Sequence, residues 1–540
     1  MSIFGKRLDS GALLSILILL VLLCYLICFG IINFPGFEYF CTTDMYEDTL
    51  VARLMWEQKT LFPKNFLFGN QFYVIATPVL AALFYGITGS MNLSMGLATT
   101  VMGLLILLSL NWMLKPFVKK PCIRYAALLA LVASSYGPRT IVREDGQLFF
   151  VMCSFYACYL ISFFFIMGDY ARSRESDKLR PVAFAVALLL SFCTGMQSLR
   201  QTCVSMLPIL CFEALYLFLD FIKNKKLRLK SMSSIRAGSY LLANLGGIVF
   251  INLLGVKRNE IYYGQSIFSG ASISQKIKDV HDAIVTVSGF DFTREGHSFF
   301  FTLIFVFFTA ICLAALIRLL SRKDFFSPLA SFWWLCIISV LAVIAASFVT
   351  SVSLRPIYLF PCYTLPALSL AVIGDWLRPK LRCALLIILA AMAALNIYFS
   401  YHEDLGYSLS HSPTDAERIS EFAIENGFDY IYGSHSHTAP KIAAQSDGKL
   451  IAGGWEDNII FKVSPHINIK DIYYLSDYSK ALFVLLEQEV PLMEIEAEAS
   501  GTEISFLGQI GRYYLYSTSK QMMYPISENV YEAWLFPEYN

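Results

Sequence analysis

Residues 12–32 read ALLSILILLVLLCYLICFGII, 21 positions without a charged residue. A helix rises 1.5 Å per residue, so about 20 apolar residues cross the roughly 30 Å apolar core of a bilayer. Lys6 and Arg7 precede the run, and Phe34-Pro35-Gly36-Phe37 follows it where a signal peptide would carry a small-x-small cleavage site. The stretch therefore reads as an uncleaved first span with a cytoplasmic N-terminus. Outward from it the same character repeats. Of 540 residues, 56% are hydrophobic and 15% charged, with mean hydropathy +0.56. Soluble domains average about 45–50% apolar and about 25% charged residues. These values exclude a soluble globular protein, a disordered chain and a small disulfide scaffold. Lys plus Arg (42) nearly cancels Asp plus Glu (41), so no basic excess calls for a nucleic-acid partner.

Charge segregation sets the expected topology. The apolar run 92–114 ends at Lys115, Lys119, Lys120 and Arg124, a cluster that belongs in the cytoplasm. It reaches that side only if residues 72–88, short and interrupted by Pro78, do not cross, so this segment reads as interfacial or re-entrant. Further apolar segments lie at 122–137, 147–168, 182–196, 202–222, 237–256, 298–317, 328–350, 357–374 and 383–401. The first and third of these are short for a full crossing. With this register the clusters at 172–180, 223–236, 318–323 and 378–382 all fall in the cytoplasm. The reading is about eleven transmembrane helices, N-terminus in and C-terminus out, with residues 1–401 as the membrane domain and 33–91 as its first external loop.

Residues 402–540 differ in kind. They hold 21 Asp or Glu against 8 Lys or Arg. Ser412-Pro413 reads as N-cap and first helical position. The periodicity of 414–426 reads as a helix stopped by Gly427. Asp429–Tyr432, 449–453, KALFVLLE and RYYLYS read as strands, with a helix near 437–445. The expectation is a small extracytoplasmic α/β domain. None of the 13 cysteines lies in it, the last being Cys383, so no disulfide framework is expected.

Four predicted external features carry chemistry. CTTDMYEDTLVARLMWEQKTLFPKNFLFG (41–69) places Asp44, Glu47 and Asp48 within five residues. On a helix Asp44 shares a face with Glu47 or Asp48. Thr42 or Thr43 could cap that helix, and the bland reading is that the acids only stabilise its positive end by about 0.3–1 kcal/mol. PRTIVREDGQLFF (138–150) sets Arg143, Glu144 and Asp145 beside an apolar stretch, where charges commonly mark the interface. GMQSLRQT (195–202) puts Gln197, Arg200 and Gln201 between two apolar segments, at a depth where charge is costly and often functional. SLRPIYLFPCYTLPAL (353–368) carries Arg355 and Tyr358 among three prolines. Arginine suits phosphate through its planar fork of donors, and snorkelling to headgroups is the alternative for Arg200 and Arg355. His435-Ser436-His437 has no acids beside it and is not read as a metal site. The sequence has no phosphate-binding Gly-rich motif, GxSxG or CxxC pair.

The order of these parts resembles the GT-C superfamily of integral-membrane glycosyltransferases, which take a sugar from a polyprenyl-phosphate or polyprenyl-diphosphate carrier. The shared layout is an N-in first helix, a long first external loop with an acid near its start and an interfacial segment, here from NQFYVIATPVLAALFYG. An acid in a second external loop, a late Arg-Tyr-Pro segment and an external C-terminal α/β domain complete it. The pattern D-x-Y-x-x-x-L-x-A-R matches at Asp44, Tyr46, Leu50, Ala52 and Arg53. By resemblance Asp44 is the first-loop catalytic acid, with Glu47 and Asp48 as secondary acidic candidates, and Glu144 or Asp145 is the second-loop acid. Three acids crowd one loop and two the other, so the acting one in each stays open. Arg143, Arg200, Arg355 and Tyr358 are the expected phosphate-binding groups. Some members hold a divalent cation (Mg or Mn) with their acids and others need none, so the metal is open.

The implied reaction moves a sugar from a lipid-linked phosphate to a hydroxyl of a glycan, lipid or protein acceptor, with inversion at the sugar carbon. A sugar phosphate already has a leaving group, and a carboxylate can take the acceptor's proton. The expected place is the plasma (inner) membrane of a bacterium, in contact with membrane lipids, with active site and C-terminal domain extracytoplasmic. Two other readings compete. A transporter or flippase for a lipid-linked glycan would explain the spans and the buried arginines. An inert membrane scaffold would explain the acidic domain.

Overall fold

The computed structural model describes residues 2–3, 6–7, 10–64, 66, 68–69, 71–134, 149–175, 180–225, 231–256, 273–288, 299–321, 325–350, 354–435, 438–455, 475, 477–520 and 522. Among these, eight helical stretches are long and apolar enough to cross a membrane: Gly11–Asn33, Met91–Leu114, Thr202–Ile222, Met232–Leu253, Phe299–Ser321, Pro328–Val349, Pro356–Gly374 and Pro379–Leu409. In chain order the helices of this part are α1 (Ser10–Asn33), α2 (Phe37–Phe40), α3 (Thr43–Glu57), α4 (Thr77–Thr88), α5 (Met91–Leu114) and α6 (Pro121–Ala133). They continue as α7 (Ala157–Glu175), α8 (Pro181–Gln197), α9 (Leu207–Asn224), α10 (Met232–Leu253), α11 (Ile273–Ser288), α12 (Phe299–Ser321), α13 (Pro328–Val349), α14 (Pro361–Gly374) and α15 (Pro379–Leu409). The chain is a multi-pass membrane protein.

The expected interfacial segment is a helix of 12 residues, α4, about 18 Å long and too short to cross. Proline sits in its first turn and Gly89, at φ 69°, terminates it. The segment expected at 122–137 is 13 residues of helix, Pro121–Ala133, followed by Ser134 and then by residues outside those described. Its alanines Ala126, Ala127 and Ala130 are fully buried, so small side chains let α1, α5 and α14 close around it. Outer helices instead expose large apolar residues such as Leu20, Leu23 and Ile27 of α1, as a lipid-facing surface requires.

Two of the basic positions used to set topology are not solvated loop charges. Arg236, on α10, is buried and donates to Asp169 of α7, which also accepts from Tyr240. Arg172 is buried against Trp112, donating to its carbonyl with the guanidinium over its ring. Beside them Glu213 of α9 accepts from Tyr170 (2.5 Å), Ser233 (2.9 Å) and Ser234 (2.6 Å). Partnered in this way, the charges tie α7, α9 and α10 together inside apolar surroundings.

The α15 helix runs on to Leu409, past the change in composition at 402. Beyond it lie α16 (Asp415–Glu425), β1 (Tyr430–Ser434), α17 (Ala439–Gln445), β2 (Ile451–Trp455), β3 (Ala481–Leu486), α18 (Val490–Ser500), β4 (Ile504–Ile510) and β5 (Tyr513–Thr518). They form one sheet in the order β2-β1-β3-β5-β4. The first three strands are parallel, with Ile431 opposite Ala452 and Leu482, and β5 is antiparallel to both its neighbours. The cap of α16 is a correction: Thr414, not Ser412, accepts from Glu417 N, and the Glu417 side chain returns to Thr414 N. This reciprocal pair satisfies two end donors, which Ser412 followed by proline cannot. Helix α18 and strand β4 have no counterpart in the sequence reading, because PLMEIEAEAS is strongly acidic and β4 alternates weakly.

Candidate active site

Helix α3 carries the first-loop acids. Thr42 is its N-cap, accepting from Met45 N at 3.3 Å, which settles the choice between Thr42 and Thr43. The three acids then meet different surroundings. Asp44, in the first turn, is exposed. Asp48, one turn on, is 2% exposed and hydrogen-bonded to the Tyr73 phenol. Burial, aided by the Asp44 charge, pushes its carboxyl up to about 8. Glu47 keeps one buried carboxylate oxygen, Oε1, without a hydrogen bond, and burial with the charges of Asp44 and Asp48 holds its carboxyl well above the usual range. One helical turn thus holds an exposed acid backed by two whose carboxyls burial shifts upward.

Next to this turn the backbone is strained. Met152, Cys153 and Ser154 have φ 54°, 61° and 47°, three consecutive non-glycine residues in the left-handed region. Such conformations persist only where surroundings hold them. Here Ser154 donates to Thr99 O at 3.2 Å and its carbonyl accepts from Thr77 at 3.3 Å, while Cys153 is buried against the Met45 carbonyl of α3. The turn fixes the start of α7 against the acid-bearing helix.

Arg200 lies in a break. Helix α8 stops at Gln197, Ser198 is extended, and a π turn spans Thr202–Met206 before α9. Pro208 has no N–H for the Val204 carbonyl, and Ser339 of α13 donates to that carbonyl instead. The break is seated on the loop before α4: Gln197 accepts from Phe72 N through its backbone (3.0 Å) and from Val74 N and Ile75 N through its side chain (3.3 and 3.2 Å). The Arg200 guanidinium donates to the hydroxyls of Tyr156 (3.4 Å) and Tyr358 (3.2 Å) and lies 4.6 Å from the Tyr358 ring centroid. Among the described residues no carboxylate pairs with it. Tyr156 is within electrostatic reach of Asp44 as well as Arg200, so the first-loop acid and this arginine share one neighbourhood. Tyr358 belongs to the 3-10 turn Pro356–Leu359, and Arg355 caps that turn with an exposed side chain.

The structure therefore gathers Asp44, Glu47, Asp48, Arg200 and Tyr358. Arg143, Glu144 and Asp145 lie outside the described residues. Tyr73, Tyr156 and Tyr159 (donating to Gln71 at 2.9 Å) were not singled out. Tyr156 and Tyr159 had a signal, two phenols three residues apart at the head of an apolar stretch, whereas Tyr73 had none. Among the described residues no three His, Cys, Asp or Glu side chains converge as a cation would require.

Below the Tyr358 turn an apolar cavity of about 330 Å³ lies between α11, α12, α13 and α14. Ile284, Phe308, Cys312, Trp333, Cys362 and Tyr363 line it, as does Leu359, the residue after Tyr358.

The C-terminal domain presses on the opposite side of α3. Thr43 donates to His435 O (2.9 Å), Arg53 to Gly448 O (2.8 Å), and the Tyr46 hydroxyl accepts from Ala452 N (2.8 Å). Asn92, at the start of α5, donates to Ala444 O through its side chain and to Asp447 through its backbone, both at 2.8 Å.

No protein-family model and no curated protein sequence matches the chain. Solved structures do. ArnT from Cupriavidus metallidurans bound to undecaprenyl phosphate superposes with a TM-score of 0.59 at 10% identity, covering 96% of this chain and 100% of that one. The same protein in its apo state gives 0.56 at 11% identity, covering 94% and 98%. The likeness runs through the membrane helices and the C-terminal sheet alike, so the chain has the fold of ArnT over nearly its whole length.

Proposed function

We propose that this protein is a membrane glycosyltransferase that moves a sugar from a polyprenyl-phosphate carrier to an acceptor hydroxyl, with Asp44 as general base. The observation that carries the reading is an exposed acid and an arginine whose guanidinium partners, among the described residues, are phenols, in one neighbourhood beside an apolar cavity. An arginine that meets no carboxylate among the described residues keeps its charge available for a phosphate. The similar structure was solved with undecaprenyl phosphate, a ligand with the same two parts, an anionic head and a long apolar tail. The tail suits the cavity between α11 and α14, and the head then meets Tyr358, Arg200 and Arg355. Asp44 takes the proton of the acceptor hydroxyl as its oxygen bonds to the sugar carbon. The bond from that carbon to the phosphate oxygen breaks on the opposite face, which inverts the centre. The departing phosphate carries its charge to Arg200. Burial raises the carboxyls of Asp48 and Glu47, which favours the exposed Asp44 as the base. The orientation belongs to the same proposal: acids, arginine and C-terminal domain gather at one end of the bundle, on the extracytoplasmic side by the charge rule.

The test uses the full chain in liposomes with labelled polyprenyl-phosphate sugars, following transfer and movement across the bilayer separately. Asp44→Asn is expected to lose about 10²–10⁴-fold in turnover with carrier binding kept. Movement without transfer, indifferent to the substitution, would establish a transporter instead.

A further inference from the structure

The D-x-Y-x-x-x-L-x-A-R pattern contains more than an acid, and the proposed chemistry uses none of its other members. Tyr46 and Arg53 are seven residues apart, two helical turns, and so lie on one face of α3. That face meets the C-terminal domain. Ala452 belongs to β2, an edge strand, and its buried N–H turns outward to the Tyr46 hydroxyl at 2.8 Å. A buried N–H must find an acceptor, so a phenol from the membrane domain completes the edge of the sheet. One turn of chain before β2, Gly448 at φ 87° offers its carbonyl to Arg53 at 2.8 Å. That left-handed φ favours glycine whatever the space around it, and a side chain would also displace the flexible end of Met91 of α5. A third bond, Thr43 to His435 O, falls on the residue next to Asp44.

From this geometry we infer that the C-terminal domain is part of the active-site framework, and that Tyr46 and Arg53 are positioning residues that hold Asp44 in register through it. The inference rests on the glycosyltransferase reading for its catalytic consequence. The bonds bracket Asp44 on a short helix, so a displaced domain tilts the end of α3 that carries the acid. A base moved by about 1 Å costs as much as 10²-fold in rate without touching the carrier's affinity.

The experiment compares wild type, Tyr46→Phe/Arg53→Gln and Arg53→Lys as full chains in liposomes. It reads sugar transfer and amide exchange together. The expected result for the double variant is a fall in kcat of about 10–10²-fold with KM for the carrier within about two-fold. Exchange should rise jointly over 43–57 and 444–452 while β3 and β5 keep their protection. Arg53→Lys, which retains a donor for Gly448 O, is expected to recover most of the rate. Wild-type kcat in the double variant overturns the inference, and so does a loss that appears wholly in KM. If wild type transfers no sugar, the glycosyltransferase reading fails by itself. Exchange then decides the docking alone: unchanged protection of 43–57 in the double variant overturns it, and a joint rise upholds it.

Discussion

Asp44, Glu47 and Asp48 look alike in sequence and differ only in what surrounds them. Asp48 is the clearest case. An ordinary aspartate titrates near 3.9, and burial beside Asp44 moves this one to about 8. A carboxyl that holds its proton more tightly when folded contributes stability that is fully present below about pH 4 and is lost as pH rises toward 8. Thermal unfolding in detergent should therefore show Asp48→Asn gaining stability relative to wild type between pH 5 and pH 8. The same variant should keep turnover within an order of magnitude at pH 7, because an amide imitates the protonated acid. A loss as deep as that of Asp44→Asn would assign the base to Asp48. The cluster of first-loop acids was legible from its spacing, but the difference in their burial was not. Desolvation depends on Tyr73, on the left-handed turn at Cys153 and on the packing of α3, all set by contacts distant in the chain.

At the scale of elements the break between α8 and α9 shows how an arginine comes to lie between two apolar helices. Helix α8 packs on α10 through two glycines. A Cβ on Gly195 would strike the Asn244 carbonyl, and one on Gly247 the Phe192 carbonyl. The Asn244 side chain then donates to Ser191 O at 3.0 Å and accepts from Thr202 at 2.6 Å, which anchors the π turn that follows Arg200. Gly247→Val forces the pair apart, and overpacking of this kind costs about 1–3 kcal/mol. The expected outcome is a lower Tm together with weaker carrier binding, because the seat of Arg200 moves with α8. Unchanged binding in the folded variant would mean that the break does not depend on this crossing. The turn GMQSLRQT was recognisable as polar residues between apolar segments. Its link to the loop before α4 was not, since Gln197 reaches residues 72–75 only after both elements are in place.

For the molecule as a whole, the proposed layout, with the carrier's head at Arg200 and Tyr358 and its tail in the apolar cavity, makes a prediction about the carrier. Burial of each CH2 contributes about 0.8 kcal/mol, so a side chain that displaces two of them raises KM roughly ten-fold. Cys362→Trp, which fills the cavity, should raise KM for a long polyprenyl carrier and leave a two-prenyl analogue unaffected. Equal effects on both would place the tail elsewhere. The cavity draws on helices α11 to α14, each called only as apolar or external in sequence, and its existence follows from how they splay around Trp333 and Tyr363.

Hydrophobic run length and charge composition are local properties. For that reason the span at residues 12–32, the shortness of the apolar segment at 72–88 and the change of kind near 402 could be read before any contact was known, and the fold class with them. The strands of the C-terminal domain were legible from period and punctuation, while the cap at Thr414 needed the geometry of the chain entering α16. Contact-dependent properties were not legible. Arg172 and Arg236 read as loop charges and proved buried, because Trp112 and Asp169 lie on other helices. Tyr46 and Arg53 read as parts of a short pattern, and only the docked sheet gave them partners some 400 residues away. A side chain's identity is written in the sequence, but its dielectric surroundings and its partners are created when distant segments pack.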